Sequence, residues 1–298
     1  MERKVSFITV DYNGLEQTID LIRSLFRTVR SVDWEIIVVD NASANDEAEA
    51  LRELFPSPRV KALRSPANLG FAGGNNFGLE HASGDYLFFI NNDTEIMEDG
   101  LPALCAALDS NPAAGIVCPK ICFFDPKDTI QYAGYTDMEG FRMKNGMIGY
   151  GCKDDGSFDK AGETAFPHGA AMMVRRAALE DVGPMPEMYF LYYEELDWAM
   201  SFRRKGWKIL FEPACVVYHK DSMTTVRGGV TFNYYMIRSR LIYAWRNLSG
   251  MQRRMSIIHT RWAASTKRIL AALLHGRFDV AWAIVRANVD FLKMRKDL

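Results

Sequence analysis

Three short apolar runs, each ending on a cluster of Asp and Asn, constrain this 298-residue chain more than any other feature. Val5–Val10 reads as a buried strand and runs into the polar turn Asp11-Tyr12-Asn13-Gly14. Over residues 15–30, Leu15, Ile19, Ile22, Leu25, Phe26 and Val29 then recur at helical spacing. Glu35–Val39 is a second strand, ending on Asp40, and Asp46–Phe55 reads as a helix before the strand Val60–Leu63. Residues 74–82 read as a further helix, and Tyr86–Ile90, followed by Asn91-Asn92-Asp93, as the strongest strand. Strands alternating with helices imply an α/β chain with a mainly parallel, mixed sheet flanked by helices. Ligands of such sheets sit outside the carboxyl ends of the strands. Ordinary turn chemistry accounts for any one of these polar clusters. Three of them delivered to one sheet edge point instead to a ligand site.

Beyond this unit, residues 125–165 read as a long irregular or hairpin insertion and Phe166–Arg176 as a strand. Glu194–Lys205 reads as a helix closed by Gly206, and Ile209–Glu212 and Ala214–Tyr218 as two strands divided by Pro213. From about residue 230 the chain becomes helical and basic. Residues 230–298 hold thirteen Lys/Arg against three Asp/Glu, a charge of +10 against −11 in residues 1–229. The chain therefore divides into an α/β unit, 1–229, and a basic, aromatic helical region, 230–298. A net charge of −1 argues against nucleic acid as a partner. The five cysteines are scattered, without a second pair at zinc-site spacing, and read as buried thiols of a cytoplasmic protein. The first apolar stretch ends at Asp11, too short for a secretory signal, and no run of about 18 apolar residues spans a bilayer.

Four clusters carry chemistry. Asp93, held at the end of a buried strand, is a rigid oxygen ligand suited to Mg2+ or Mn2+ together with substrate phosphates. Asn68-Leu-Gly70-Phe-Ala-Gly-Gly-Asn75-Asn76 precedes a helix and permits close approach to a phosphate or ribose. It lacks the dinucleotide fingerprint and the P-loop lysine. Glu194-Glu195-Leu-Asp197-Trp198 follows the aromatic run Tyr189–Tyr193. These carboxylates either compensate the helix dipole or supply a general base beside aromatics that stack on sugars. His219, just past a strand, is either structural or completes a metal site with Asp93. His168 and Gly169 are candidates for the acceptor or donor-sugar pocket.

The ordered set Val10-Asp-Tyr-Asn-Gly14, Val39-Asp-Asn-Ala-Ser43, Asn68–Asn75, Asn91-Asn-Asp-Thr-Glu95, Gly169–Arg175 and Phe190–Trp198 resembles family 2 glycosyltransferases, and among them the rhamnosyltransferase-type branch. The likeness covers roughly residues 4–225. It implies a GT-A fold, a nucleotide-diphosphate sugar donor (dTDP or UDP) and inversion at the anomeric carbon. Asp93 then falls on the metal-binding element, with His219 as a metal or phosphate contact. Asp40 would read the nucleoside, with Asp11, Tyr12 and Asn13 beside it. Asn68, Gly70, Asn75, Asn91 and Asn92 complete the nucleotide-sugar candidates, although many members have Asp where Asn91 stands. Glu195 matches the catalytic base, with Asp197 as the alternative base or an acceptor-positioning residue. Glu194, Trp198, His168 and Gly169 would face the sugars. Ser201 stands where many relatives carry Arg, so no role carries over to it.

Two other functions share parts of this pattern: a sugar-phosphate nucleotidyltransferase and a non-catalytic nucleotide-sugar-binding scaffold at a membrane. The first opens with a Gly-rich loop carrying a basic residue, which Asp11–Gly14 does not supply. The second has no need of Asp93, Glu195 and His219 together. In residues 230–298, Tyr243, Trp245, Trp262, Phe278, Trp282 and Phe291 interleave with Lys/Arg. That composition suits helices lying at the inner face of a membrane, and with it a saccharide or lipid-linked acceptor. A helical subdomain that packs on the catalytic unit or forms a homodimer is the other reading.

Overall fold

The alternation closes into one sheet in a computed structural model that describes residues 3–221 and 228–298. The first half follows the pattern closely: β1 (Lys4–Asp11), α1 (Leu15–Thr28), β2 (Asp33–Asp40), α2 (Glu47–Leu54), β3 (Val60–Arg64), α3 (Gly70–Leu79) and β4 (Tyr86–Ile90). β1 lies parallel between β2 and β4, and Asp11 registers with Asp40, so their polar ends share one edge. α1 buries Ile19, Ile22 and Leu25 against this sheet. α2 starts where Asp46 accepts a hydrogen bond from the Glu49 amide at 2.8 Å, satisfying one of its orphan donors.

α3 begins four residues before its expected start, so the glycine-rich segment is helix and not a loop ahead of one. Its glycines answer to packing. A Cβ on Gly74 would stand 2.9 Å from both Val10 methyls, and one on Gly78 would stand 2.9 Å from Ile8 Cγ2. The helix lies on β1 and β2 only because those positions carry no side chain.

The second half departs further from the sequence reading. It comprises β5 (Thr94–Glu95), α4 (Leu101–Ser110), β6 (Ala114–Phe123), β7 (Ile130–Tyr132), β8 (Gly162–Glu163), β9 (Ala171–Arg175), α5 (Arg176–Val182), α6 (Glu194–Arg204) and β10 (Lys208–His219). The described sheet runs β3-β2-β1-β4-β9-β6-β10-β5, with β7 on β6 and β8 on β10. Only residues 171–175 of the expected strand 166–176 pair, and they insert antiparallel between β4 and β6. β10 is one strand; Pro213 falls in a register shift between Glu212 and Val216 that leaves the ladder continuous. β6 escapes a reading by pattern because it carries Lys120, which is buried between Asp154 (2.7 Å) and Asp159 (2.6 Å).

The C-terminal helices α7 (Val230–Asn247), α8 (Gly250–Ile258), α9 (Ser265–Leu274) and α10 (Phe278–Met294) include a π-helical turn at His259–Ala264. Ile237, Leu241 and Ile242 of α7 pack with Ile284, Ala287 and Phe291 of α10 in a second core that also takes in Tyr189 and Met143. These helices are thus built onto the sheet-bearing unit. Trp262 and Trp282 are each 68% exposed, and Leu270, Leu274 and Phe278 also face outward. No helix among the described residues is long and apolar enough to cross a membrane. Four cysteines are buried as expected, but Cys152 is exposed because it lies in the irregular insertion.

Gly78→Val tests the close approach of α3. Overpacking costs about 1–3 kcal/mol, and a β-branched residue gives back little helix propensity. The denaturant midpoint is expected to fall; an unchanged midpoint would show that α3 can lift from the sheet freely.

Candidate active site

β5 runs antiparallel to the end of β10, pairing Thr94 with His219, which sets Asp93 against the imidazole. Asp93 Oδ1 lies 3.1 Å from His219 Nε2, and His219 Nδ1 lies 2.8 Å from Gln131 Oε1. A carbonyl oxygen only accepts, so Nδ1 carries a proton, and Nε2 is the ring atom turned toward the carboxylate. A buried imidazole nitrogen and a carboxylate oxygen thus face each other across 3.1 Å, the kind of N,O pair that a divalent ion takes. The residues present therefore fit a divalent ion with an N,O donor set. Among the described residues no group of three His, Cys, Asp or Glu forms a complete metal cage.

His168 is next to this pair, its ring centroid 6.4 Å from that of His219 and stacked on Tyr135 at 8°. Burial, then His219 beside it, pushes its pKa down to about 3, so it is neutral. Its Nδ1 accepts from the Ala170 amide at 3.1 Å, leaving the proton on Nε2. Ala170 also ties this turn to the Asp93 loop by accepting from the Asn91 amide at 2.9 Å. The following residue faces the candidate base: a Cβ on Gly169 would stand 3.8 Å from the Glu195 carboxyl carbon. Burial pushes the Glu195 carboxyl up to about 7. Glu194, buried beside it with Oε2 lacking any hydrogen bond, is held well above the carboxylate range by burial and by Glu195.

The loop that presents Glu195 is strained. Phe190, Tyr192 and Tyr193 take φ values of 65°, 65° and 72°, at a cost on the order of 1–3 kcal/mol each. α7 holds it in place. Phe190 stacks on Tyr235, Tyr192 packs on Phe232, and Tyr193 on Tyr243. Ser239 Oγ donates to the Leu191 carbonyl at 2.8 Å, and Arg238 donates to the Tyr189 carbonyl. The aromatic run expected to stack on sugars is largely engaged with α7.

At the other end of the edge, Asp11 Oδ1 accepts from Gly14 N at 3.1 Å and Asn92 Nδ2 at 3.2 Å. Its Oδ2 is buried without a partner, and burial followed by neighbouring Glu47 raises its pKa to about 8. Asp40 is fully buried and accepts from Ser43 N, Glu47 N and Arg64 Nη1. Its carboxylate braces the β2–α2 turn, so the expected direct contact with a nucleoside is displaced by Arg64. Asn13 is likewise spent on Ser43 and Ala44. Gly70 has φ 72°, and a Cβ there would meet the Phe190 carbonyl oxygen at 2.3 Å; it serves the base loop and not a phosphate cradle. Asn75 is buried and donates to Phe71 O within α3, and Asn68 Oδ1 accepts from Gly70 N and Asn41 Nδ2. Tyr12 remains exposed, and Asn91 keeps its side-chain amide out of any hydrogen bond among the described residues.

The profile of glycosyl transferase family 2 matches residues 6–183, more than half of the chain. The chain belongs to glycosyl transferase family 2. It is 25% identical over 265 residues to an O-antigen biosynthesis protein of Myxococcus xanthus, covering 83% of this chain but only 20% of that protein. It is 26% identical to a low-salt glycan biosynthesis hexosyltransferase of Haloferax volcanii, over 80% of this chain and 74% of the relative. It is 23% identical to an N-acetylglucosaminyl-diphospho-decaprenol L-rhamnosyltransferase of Mycobacterium tuberculosis, over 73% and 76%. Among solved structures, GalNAc-T7 with UDP, GalNAc and Mn2+ superposes with a TM-score of 0.65 at 16% identity, covering 82% of this chain and 50% of that one. A mannosyltransferase of Pyrobaculum calidifontis in complex with GDP-Man and Mn2+ superposes at 0.60 and 16% identity, over 98% and 88%. These likenesses show the GT-A fold.

In this family 2 transferase two of the expected site residues are structural. Asp197 is fully buried, its oxygens taken by Arg246 Nε at 2.7 Å and Asn247 Nδ2 at 2.6 Å. It cannot reach an acceptor proton, which removes it as the alternative base. Trp198 is buried edge-on against Phe89 and Phe202, with its indole N–H on the Gly183 carbonyl, so it faces the core and no sugar. Reading by motif missed Gln131, Glu47, Arg64 and Arg246. None lies in a motif of its own, and only the net positive charge of residues 230–298 hinted that a cation from there was needed.

Asp197→Ala leaves Arg246 facing a void, and breaking such a buried pair costs about 3 kcal/mol. Glu195→Gln should leave the melting temperature near that of the parent. Equal stability of the two variants would contradict the assignment.

Proposed function

We propose that the chain is an inverting, divalent-metal-dependent glycosyltransferase that moves a sugar from a nucleotide diphosphate to a saccharide or lipid-linked saccharide acceptor. The single observation that carries this reading is the contiguity of Glu195, Gly169, His168, His219 and Asp93, which sets a partly buried carboxyl raised to about 7 beside a metal-type pair. Asp93 and His219 would hold Mg2+ or Mn2+, which supplies charge stabilisation for a departing nucleotide diphosphate. Glu195 takes the proton of the acceptor hydroxyl as that hydroxyl attacks the anomeric carbon. Neutral His168, a donor through Nε2, orients a sugar hydroxyl. Asp11, Asn92 and Asp40 hold the turns that frame the nucleotide, while Tyr12 and Asn91 are free to touch it. Rhamnose from dTDP is the working donor, with UDP-sugars as the comparison, supported by the mycobacterial relative's name. Cell-surface polysaccharide synthesis at the inner membrane face is supported by the names of the relatives and by the exposed Trp262, Phe278 and Trp282.

Glu195→Gln is expected to lower kcat by at least about 100-fold while leaving donor affinity intact. Turnover close to that of the parent would sink the assignment. Because the carboxyl is raised to about 7, its base form grows with pH, and transfer is expected to rise through pH 7. The stability term has the opposite sign. A carboxyl raised from its ordinary 4.5 stabilises the fold at low pH, and that contribution is lost as pH climbs through about 7.

A thermal-shift screen of dTDP, UDP and GDP with and without Mn2+ tests the donor side, since ligands that bind the native state raise its stability. The parent should show a Mn2+-dependent shift with one nucleotide, and Asp93→Asn and His219→Ala should lose the dependence. A shift indifferent to Mn2+ in all three proteins would rule out this metal site.

A further inference from the structure

Beside Tyr193, two residues from the base, the fold gathers cations that no carboxylate neutralises. Arg240 of α7 donates to the Arg142 carbonyl and faces the Tyr193 hydroxyl. Arg268 of α9, held by Asn233 Oδ1 at 3.2 Å, has its pKa lowered by partial burial of its guanidinium and then by Arg240. His259, edge-on to Phe141 at 5.6 Å, is pushed down in pKa by burial and then by Arg240 and Arg142. Among the described residues no Asp or Glu lies within ion-pair distance of Arg142, Arg240 or Arg268. Arg240 Nε and His259 Nδ1 are buried without a hydrogen-bond partner. Like charges held together with unsatisfied donors destabilise a fold until an anion arrives. The surroundings also say what carries that anion. Ile258 and Trp262 flank His259 on its helix, and Leu270 and Leu274 follow Arg268; all four are exposed apolar side chains.

We propose that Arg142, Arg240 and Arg268 bind the phosphate ester of an amphipathic acceptor, whose apolar chain lies over Ile258, Trp262, Leu270 and Leu274 and whose sugar is thereby brought to Glu195. Bidentate guanidinium forks suit phosphate oxygens. The inference rests on the transferase reading above and names the acceptor class for the same site. Headgroups of anionic phospholipids share the chemistry and are the competing source.

The test titrates geranyl diphosphate calorimetrically into the full chain saturated with Mn2+ and the nucleoside diphosphate chosen by the thermal-shift screen, so that the donor site is filled. Binding is expected, geraniol should not bind, and Arg240→Gln and Arg268→Gln should each weaken binding about tenfold. Arg268→Lys, which keeps the charge, should restore most of what Arg268→Gln loses and guards against a folding defect in Arg240→Gln. Nucleotide affinity should be the same in every variant. Geranyl diphosphate binding that is absent, or equal in parent and variants, overturns the proposal. So does loss of sedimentation with phosphatidylglycerol vesicles, relative to phosphatidylcholine vesicles, in variants that still bind geranyl diphosphate normally. Failure of every nucleoside diphosphate to bind would instead defeat the underlying transferase reading.

Discussion

The packing of α7 on the loop before α6 is the interaction on which the candidate site depends. Three aromatic residues in left-handed conformations are not a structure that a chain adopts locally, because the Cβ crowds the backbone there. They persist because each ring finds an aromatic partner on α7 and because α7 side chains satisfy the loop's carbonyls. The Asp197–Arg246 pair fixes the other side of the same joint. Glu195 sits between these two anchors. Its position, and hence the burial that raises its pKa, is a property of the C-terminal helices as much as of its own motif.

This changes the meaning of residues 230–298. Their basic, aromatic composition reads naturally as an appendage facing a membrane or a second subunit. Part of it faces inward: Arg238, Ser239, Arg246, Asn247 and three α7 aromatics hold the sheet-bearing unit. Trp262, Leu270, Leu274, Phe278 and Trp282 remain outside. The unpaired arginines lie between these inward and outward groups, which is why the acceptor side is the place to look for a ligand with both an anionic and an apolar part.

Much of the first half was legible in the sequence because its signals are local. β1, β2 and β4 are apolar runs of strand length, and their polar ends are set by the parallel register. The second half was less so. Lys120 breaks the apolar run of β6, yet two acidic residues more than thirty positions away make it a buried strand residue. The glycines of α3 resemble a phosphate loop, and only the methyls of Val10 and Ile8 across the sheet show that they serve close packing. Among the candidate site residues, Asp93 and Glu195 stand out in the sequence by what precedes them. The burial of Asp197 and Trp198 was not, because a carboxylate or an indole on the first turn of a helix carries no mark of which face it will turn inward.

The sequence by itself determined the α/β class, the polar edge and the family, since each rests on local periodicity or on the order of short motifs along the chain. Tertiary structure alone decided the surroundings of each carboxylate. Asp40 and Asp197 are quenched by arginines from elsewhere in the chain, and Asp93 is set against a histidine 126 residues away. Reactivity depends on desolvation and on the nearest opposite charge, and both are fixed by contacts that form only when distant segments pack together.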